Sequence, residues 1–415
     1  MTRSPDESAA DARFAEGDRR AMRRALELAE RGIATTHPNP RVGCVIAKDD
    51  RTIGEGWHEW AGEPHAEVMA LRAAGNEATG ATAYVTLEPC CHQGRTPPCV
   101  EALIAARVKR VVFAIRDPDP RVDGRGAARL RAAGIEVASG LMQTEAAELN
   151  AGFIKRVAQG RPWVRVKLAM SLDGRTALTN GASQWITGEA AREDVQRWRA
   201  RSSAVLTGIG TLLADDPRLD VRLRMPRPRP PLRVVLDGRL RTPPGARLFE
   251  SSGEVWIFAD SSADPRRRSA LEARGARVEL APRESAAARP ALASAGTTRA
   301  EAANAGSPGR DEAAAAVPLD LLRVLARLAE AQMNEVHVEA GPTLAGALIR
   351  EELADELLIY AAPVLLGPQG RPLADLPRIE ALEDAPRFEI IESVSIGPDL
   401  RVRLRSRPGA DARRA

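Results

Sequence analysis

From Asp18, an N-capping residue, to Gly32, apolar positions recur at helical spacing, with Met22, Leu26 and Ala29 on one face. Short apolar runs then alternate with periodic segments. Val42–Ala47 predicts a strand, and Asp49-Asp50 turns it into a second one over Thr52–His58. Glu63-Pro64 opens a predicted helix through Ala74, with proline in the first turn, where its missing N–H costs nothing. Strands over Ala83–Leu87, Val108–Ile115 and Ile135–Ala138 alternate with helices over Pro98–Ala106 and Gly126–Ala133. This alternation predicts a layered α/β fold with helices on both faces of a sheet.

The pattern pauses at Gln159-Gly160-Arg161-Pro162, a predicted domain boundary, and then restarts. Val164–Ala169, Ala204–Thr207, Arg233–Leu236, Val255–Ala259, Val278–Leu280, Asn334–Glu339 and Leu357–Ala362 read as strands. Helices are predicted over Gly188–Ala200 and after Gly341-Pro342-Thr343 as far as Arg350. Met225–Pro231 is an Arg/Pro run that reads as an extended loop, and 282–318 reads as a mobile insertion too poor in apolar surface to order itself. The domain reading is a disordered tail over 1–15, one domain over 16–160, a second over 161–406 and a loose tail over 407–415. The 415 residues are enough for two such cores.

Charge narrows the partners. The net charge is +4, from 60 basic and 56 acidic residues interleaved along the chain, and aromatics are 3% of it. Neither a basic footprint nor a set of stacking platforms for nucleic acid stands out. No apolar run is long enough to span a membrane, and the charged N-terminus lacks the apolar core of a secretory signal, so a cytoplasmic protein is expected. Homo-oligomerisation is left open. Lysine occurs only at 48, 109, 155 and 167, which draws attention to Lys167 inside a predicted strand.

The candidate chemistry starts with cysteine. Cys90, Cys91 and Cys99 lie too close together for a disulfide framework and suit a metal in a reducing compartment. With His65, Cys90 and Cys99 supply one imidazole and two thiolates, a set Zn²⁺ favours, and leave a fourth position for water. Glu67 stands two residues from His65, as in the H-x-E…P-C signature of zinc deaminases, and is the candidate proton shuttle. Two fully helical residues at that spacing would lie about 200° apart around the axis, so His65 must sit at the helix end. A structural zinc knuckle with Cys91 or His92 as fourth ligand is the competing reading. Cys44, in VGCVIA, reads as core. His37 and His58 read either as solvated loop residues or, for Asn39 and His58 beside the zinc residues, as substrate contacts.

The segments THPNPRVGCVIA, GEGWHEWAGEPHAEV, AYVTLEPC and HQGRTPPC resemble the deaminase half of the bifunctional riboflavin-biosynthesis deaminase–reductases. Nucleoside and tRNA deaminases usually place two residues between their cysteines. Here Gly94-Arg95-Thr96-Pro97-Pro98 lies inside a longer gap, similar to the riboflavin enzymes. Cys91 departs from the family, which commonly has serine there.

Three features mark the second half. VRVKLAMSLDGRTAL places Lys167 in a strand before an Asp-Gly turn. SQWITGEAAREDVQRWRARSSAVLTGIGTLLADDPRLDVR brings Ser183, Trp185, Arg199, Asp215 and Arg222 to predicted element ends. VHVEAGPTLAGALI is a strand, a glycine turn and a helix start that exposes backbone N–H groups to an anion or simply packs tightly. No G-x-G-x-x-G fingerprint supports an ordinary Rossmann site. These stretches resemble the reductase half of the same family. The resemblance implies a cytidine-deaminase-like three-layer α/β domain followed by a dihydrofolate-reductase-like α/β domain. It implies NADPH contacts from Ala169, Trp185, Thr211, Asp215, Gly341, Pro342, Thr343, Leu344, Ala345, Gly346 and Ala347. It implies substrate contacts from Ser183, Arg199, Leu219, Arg222 and Glu339, the two arginines suiting a ribose phosphate. Lys167 and Asp215 are the candidates for polarising or protonating the sugar carbonyl. The implied reactions are deamination of a ribosylaminopyrimidinone 5′-phosphate, then reduction of its ribosyl group. Two rival readings are a nucleoside or tRNA deaminase with a non-catalytic second domain, and a zinc-stapled nucleic-acid-binding protein.

Overall fold

A computed structural model describes residues 11, 13–94, 97–225, 227, 229–281 and 319–406. The expected insertion over 282–318 and tail over 407–415 lie outside the described residues, as do 1–10 and 12 of the expected N-terminal tail. The rest of that tail is not loose. Phe14 is buried, and buried Asp11 accepts a hydrogen bond from the Met142 backbone N–H. An apolar ring within reach of a core joins it, whatever the polarity of its neighbours.

The N-terminal sheet contains β1 (Gly43–Lys48), β2 (Arg51–Trp57), β3 (Thr82–Leu87), β4 (Arg110–Ile115) and β5 (Glu136–Ser139), in the order β2-β1-β3-β4-β5. Asp49 and Asp50 both take positive φ, which makes the tight β1–β2 hairpin. Strand alternation sorts side chains between two cores. Cys44, Ile46, Val85 and Phe113 face the helices Ala66–Ala74, Cys99–Ala105 and Arg125–Ala132, while Val45, Tyr84 and Val112 face the helix Glu16–Glu30. The result is three layers. At Gly54 and Gly56 a Cβ would lie 2.2 Å from the Ala70 carbonyl oxygen and 2.5 Å from the Ala70 nitrogen. Bare backbone there lets the helix Ala66–Ala74 lie close against β2 and sets the position of its N-terminal end.

Two helices that the apolar pattern did not reveal, Gln143–Leu149 and Ala151–Gln159, lead to the second sheet. Its strands are β6 (Trp163–Ser171), β8 (Ala204–Gly208), β9 (Leu232–Leu236), β10 (Val255–Ala259), β11 (Ala276–Leu280), β12 (Glu335–Glu339), β13 (Glu356–Ala362), β15 (Phe388–Ile396) and β16 (Asp399–Ser406). The order is β11-β10-β9-β8-β12-β6-β13-β16-β15. Pairings from β11 to β13 are parallel, and β16 and β15 close the edge antiparallel. A short pair, β7 (Arg175–Ala177) with β14 (Arg371–Pro372), lies apart. The β15–β16 hairpin was not predicted, because its alternation is half-exposed and interrupted by charges such as Glu392, Arg401 and Arg403.

Buried charge ties the halves together. Arg41 donates to Glu335 Oε1 at 2.5 Å and to the Leu149 and Arg201 carbonyls. Arg165 bridges Glu335 and Glu356, and Arg403 joins Glu356 to Glu148. Burial pushes the Glu335 carboxyl up, but Arg201, Arg41 and Arg165 outweigh it and hold it well below its ordinary value. His37 Nδ1 lies 3.1 Å from Ser203 Oγ, and Asn334 donates to the Pro38 carbonyl at 3.0 Å.

Candidate active sites

The first site forms where the helix Ala66–Ala74 begins. His65 is its N-cap, extended at φ −75° and ψ 163°, so Pro64 stands outside the helix rather than in its first turn. This answers the angular difficulty, since the helical 100° per residue does not apply across His65 and Glu67 can turn back toward it. Among the described residues His65, Cys90 and Cys99 come together, their ligand atoms all within 4.8 Å of one another. His65 Nδ1 lies 3.2 Å from Cys99 Sγ and 3.6 Å from Cys90 Sγ. The Cys99 backbone N–H, at a helix start, points at Cys90 Sγ at 3.4 Å. The Cys90 thiol is pulled down to about 4, first by its hydrogen bond with Cys99 and further by His65.

Glu67 is buried, and its Oε2 has no hydrogen-bond partner. Burial, then the neighbouring Cys90, raises its carboxyl. An orphaned carboxylate oxygen beside an open ligand set fits a site that receives water or a substrate nitrogen. His58 is buried with its ring 5.3 Å from that of His65. Its Nδ1 faces the Pro64 carbonyl at 3.2 Å and its Nε2 faces Asn39 Nδ2 at 3.0 Å, so neutral His58 donates through Nδ1 and accepts through Nε2. Burial lowers its pKa, in keeping with that neutral state. Cys91 turns away and its thiol faces the Arg121 carbonyl at 3.5 Å, and neither it nor His92 belongs to the ligand cluster. Cys44 is fully buried core.

The second site is a cavity of about 2360 Å³ over the ends of the parallel strands of the second sheet. Lys167, Ala169, Ser183, Trp185, Arg199, Thr211, Asp215, Leu219, Arg222, Glu339, Gly341, Pro342, Thr343, Leu344 and Ala347 all line it. Ala345 and Gly346, expected there as well, do not. Ala345 is fully buried, and a Cβ on Gly346 would lie 2.2 Å from the Asp375 carbonyl oxygen, so that helix face packs inward. The Leu219 side chain is also in the core, with φ +53°. Arg199 grips Glu339 in a fork, with bonds of 2.5 and 2.8 Å, and donates to the Asp220 carbonyl. It is therefore less free for a phosphate than expected, while Arg222 is exposed. Lys167 and Glu339 are register partners on β6 and β12. Burial lowers the Lys167 ammonium, and Glu339 opposes that. At the cavity rim, partial desolvation raises the Asp215 carboxyl, and Arg371 opposes that.

Two family models match the chain. Residues 15–115 match the cytidine and deoxycytidylate deaminase zinc-binding region, and residues 162–402 match the RibD C-terminal domain. The riboflavin biosynthesis protein RibD of Escherichia coli K12 is 48% identical over 394 residues, covering 92% of this chain and 98% of that protein. The chain belongs to the RibD family. Among solved structures, Acinetobacter baumannii RibD aligns with a TM-score of 0.81 at 43% identity, covering 95% of this chain and 99% of that one. A Thermotoga maritima diaminohydroxyphosphoribosylaminopyrimidine deaminase/5-amino-6-(5-phosphoribosylamino)uracil reductase aligns at 0.75 with 31% identity, over 94% and 99% of the two chains. Like its RibD relatives, the chain joins a zinc deaminase domain to a reductase domain of riboflavin biosynthesis, with Zn²⁺ and NADPH as cofactors. Among the described residues no helix is long and apolar enough to cross a membrane.

Two buried groups behind the sites carry no clear local signal of their role or only a slight one. Glu88 is buried and accepts backbone N–H bonds from Asp117, Gly124 and Ala127, which pins the loop behind the cysteines. His337 is fully buried on β12 with Nε2 3.4 Å from Glu339 Oε1. Glu88 had a visible signal, a carboxylate directly before Pro89-Cys90. His337 had none, because a histidine in VHVEA looks like any strand residue.

Proposed function

We propose that the N-terminal domain hydrolyses the amino group from 2,5-diamino-6-(ribosylamino)-4-pyrimidinone 5′-phosphate, and that the C-terminal domain reduces the product's ribosyl group to ribityl with NADPH. The observation that carries this is the cluster His65, Cys90 and Cys99 with the unpartnered Glu67 oxygen beside it. Bound there, Zn²⁺ supplies a Lewis acid that makes water nucleophilic near neutrality. Glu67 takes a proton from the attacking water and gives it to the ring nitrogen, then takes the second proton from the newly added hydroxyl and gives it to the amino group as that leaves as ammonia. Asn39, whose amide N–H bonds His58, keeps its amide oxygen available as an acceptor for the pyrimidine. In the second domain NADPH supplies hydride. Lys167 Nζ polarises the sugar carbonyl oxygen and supplies the proton that completes the alcohol, with Asp215 at the rim as the second candidate. Ser183, Arg222 and the Arg199–Glu339 pair orient the ribose phosphate chain, with Leu219 contributing backbone. Thr211, Trp185, Ala169 and the Gly341–Leu344 helix start, with Ala347, hold the dinucleotide.

We place the domain boundary between 160 and 161, and the protein in the cytoplasm, where thiolate ligands stay reduced. Its ligands are small phosphorylated molecules, not nucleic acid. A two-step assay tests the reading, following ammonia and then NADPH oxidation, alongside metal analysis. One zinc per chain, and NADPH consumed only after deamination, is the expected result. Ammonia release with no NADPH use on the deaminated intermediate would overturn the second half of it.

A further inference from the structure

We infer that Arg239 and Arg241 read the 2′-phosphate of the dinucleotide and so make this reductase choose NADPH over NADH. The inference rests on the NADPH reading above. Lys167 and Glu339 lie on β6 and β12, so the reacting end of the cavity is over those strands. The dinucleotide must leave from there past the helix start at Gly341, and the strand order places β8 and then β9 on the far side of β12. Glycines recur along that course. Gly208, Gly210, Gly238 and Gly341 all line the cavity. None of the four has a positive φ, and a Cβ on any of them would meet no protein atom nearer than 3.6 Å. Neither a turn nor helix packing requires these glycines. They leave room for an occupant that lies flat on the chain.

Where this trough ends, β9 runs into a rigid turn. The fully buried Asp237 carboxylate accepts from the Thr242 N–H and hydroxyl, both at 2.7 Å. Leu240 is 2% exposed and anchors the middle of the turn in the core. Arg239 and Arg241 flank that anchor, and both are exposed and line the cavity. Beyond Asp237, the cavity-lining carboxylate of Asp216 accepts from the Arg247 N–H and that of Asp320 caps a helix at the Arg323 N–H. A pair of guanidinium groups on a fixed turn matches a dianionic phosphate monoester and has no counterpart on NADH.

The test is direct binding by titration calorimetry of the full chain with NADPH, NADH and 2′-AMP. Wild type should prefer NADPH and bind 2′-AMP. Arg239→Ala and Arg241→Ala should each weaken NADPH and 2′-AMP by about 10- to 100-fold, the range for a hydrogen bond to a charged group, and leave NADH within about twofold. Arg→Lys at either position should recover part of the loss. The thermal midpoint of each variant checks folding. Equal losses for NADPH and NADH, or no loss for either, would overturn the assignment. A wild type that binds neither dinucleotide would instead remove the NADPH reading beneath it.

Discussion

The two sites are built on opposite plans. The zinc site is compact, with three ligand atoms within 4.8 Å and a carboxylate 3% exposed beside them, all drawn from residues 65–99. The candidate reductase site is a broad cavity lined from Lys167 to Asp375. A hydrolytic centre must fix a few atoms closely, whereas a reductase must hold a long cofactor and a substrate together. In the first, chemistry is concentrated in a few irreplaceable atoms. In the second it is spread, so single losses there should be milder.

Chelation should separate the sites most sharply. Removing zinc should abolish ammonia release while NADPH oxidation with the deaminated intermediate continues. Parallel loss of both would show that the metal holds the whole chain together. Next, Glu67→Ala should lower deamination by about 10²- to 10⁴-fold with zinc content unchanged. Near-normal ammonia release would end the proton-shuttle role.

On the spread-out side, Arg199→Ala should cost reduction roughly 100-fold, because Glu339 loses the fork that positions it, and should spare deamination. Comparing kcat and KM for each half-reaction checks this, and equal loss in both would contradict independent sites. The smallest effect on chemistry is expected at the junction. Glu335→Gln leaves Arg41, Arg165 and Arg201 without their shared carboxylate, and should cost about 3–5 kcal/mol of stability. The sign with pH follows from the depressed carboxyls of Glu335 and Glu356. Their stabilisation is present above the ordinary value of 4.5 and is lost as pH falls below it. Thermal midpoints of wild type should therefore drop on acidification more steeply than those of the variant; matching slopes would rule this network out as the cause.

Legibility followed locality. His65, Glu67, Cys90 and Cys99 could be read directly, because ligand type and spacing are properties of a short stretch. Strands such as Val255–Ala259 were found residue for residue, being continuous apolar runs buried on both faces. The helix Gln143–Leu149 and the β15–β16 hairpin were not, because their burial depends on what packs against them. Within the helix Pro342–Arg350, the inward turn of Ala345 and Gly346 could not be read from a motif that names seven consecutive residues.

By itself the sequence determined the two-domain α/β organisation and the candidate ligands His65, Cys90 and Cys99, which are matters of residue type, order and spacing, while the two-step chemistry came from its resemblance to the riboflavin deaminase–reductases. Tertiary structure decided the rest. It made His65 an N-cap and so brought Glu67 to the same centre. It turned Cys91 away, drew Arg199 into a fork with Glu339, and joined Arg41 of one half to Glu335 of the other across 294 residues. Those outcomes depend on the directions side chains take once helices and strands are packed, and no local pattern encodes them.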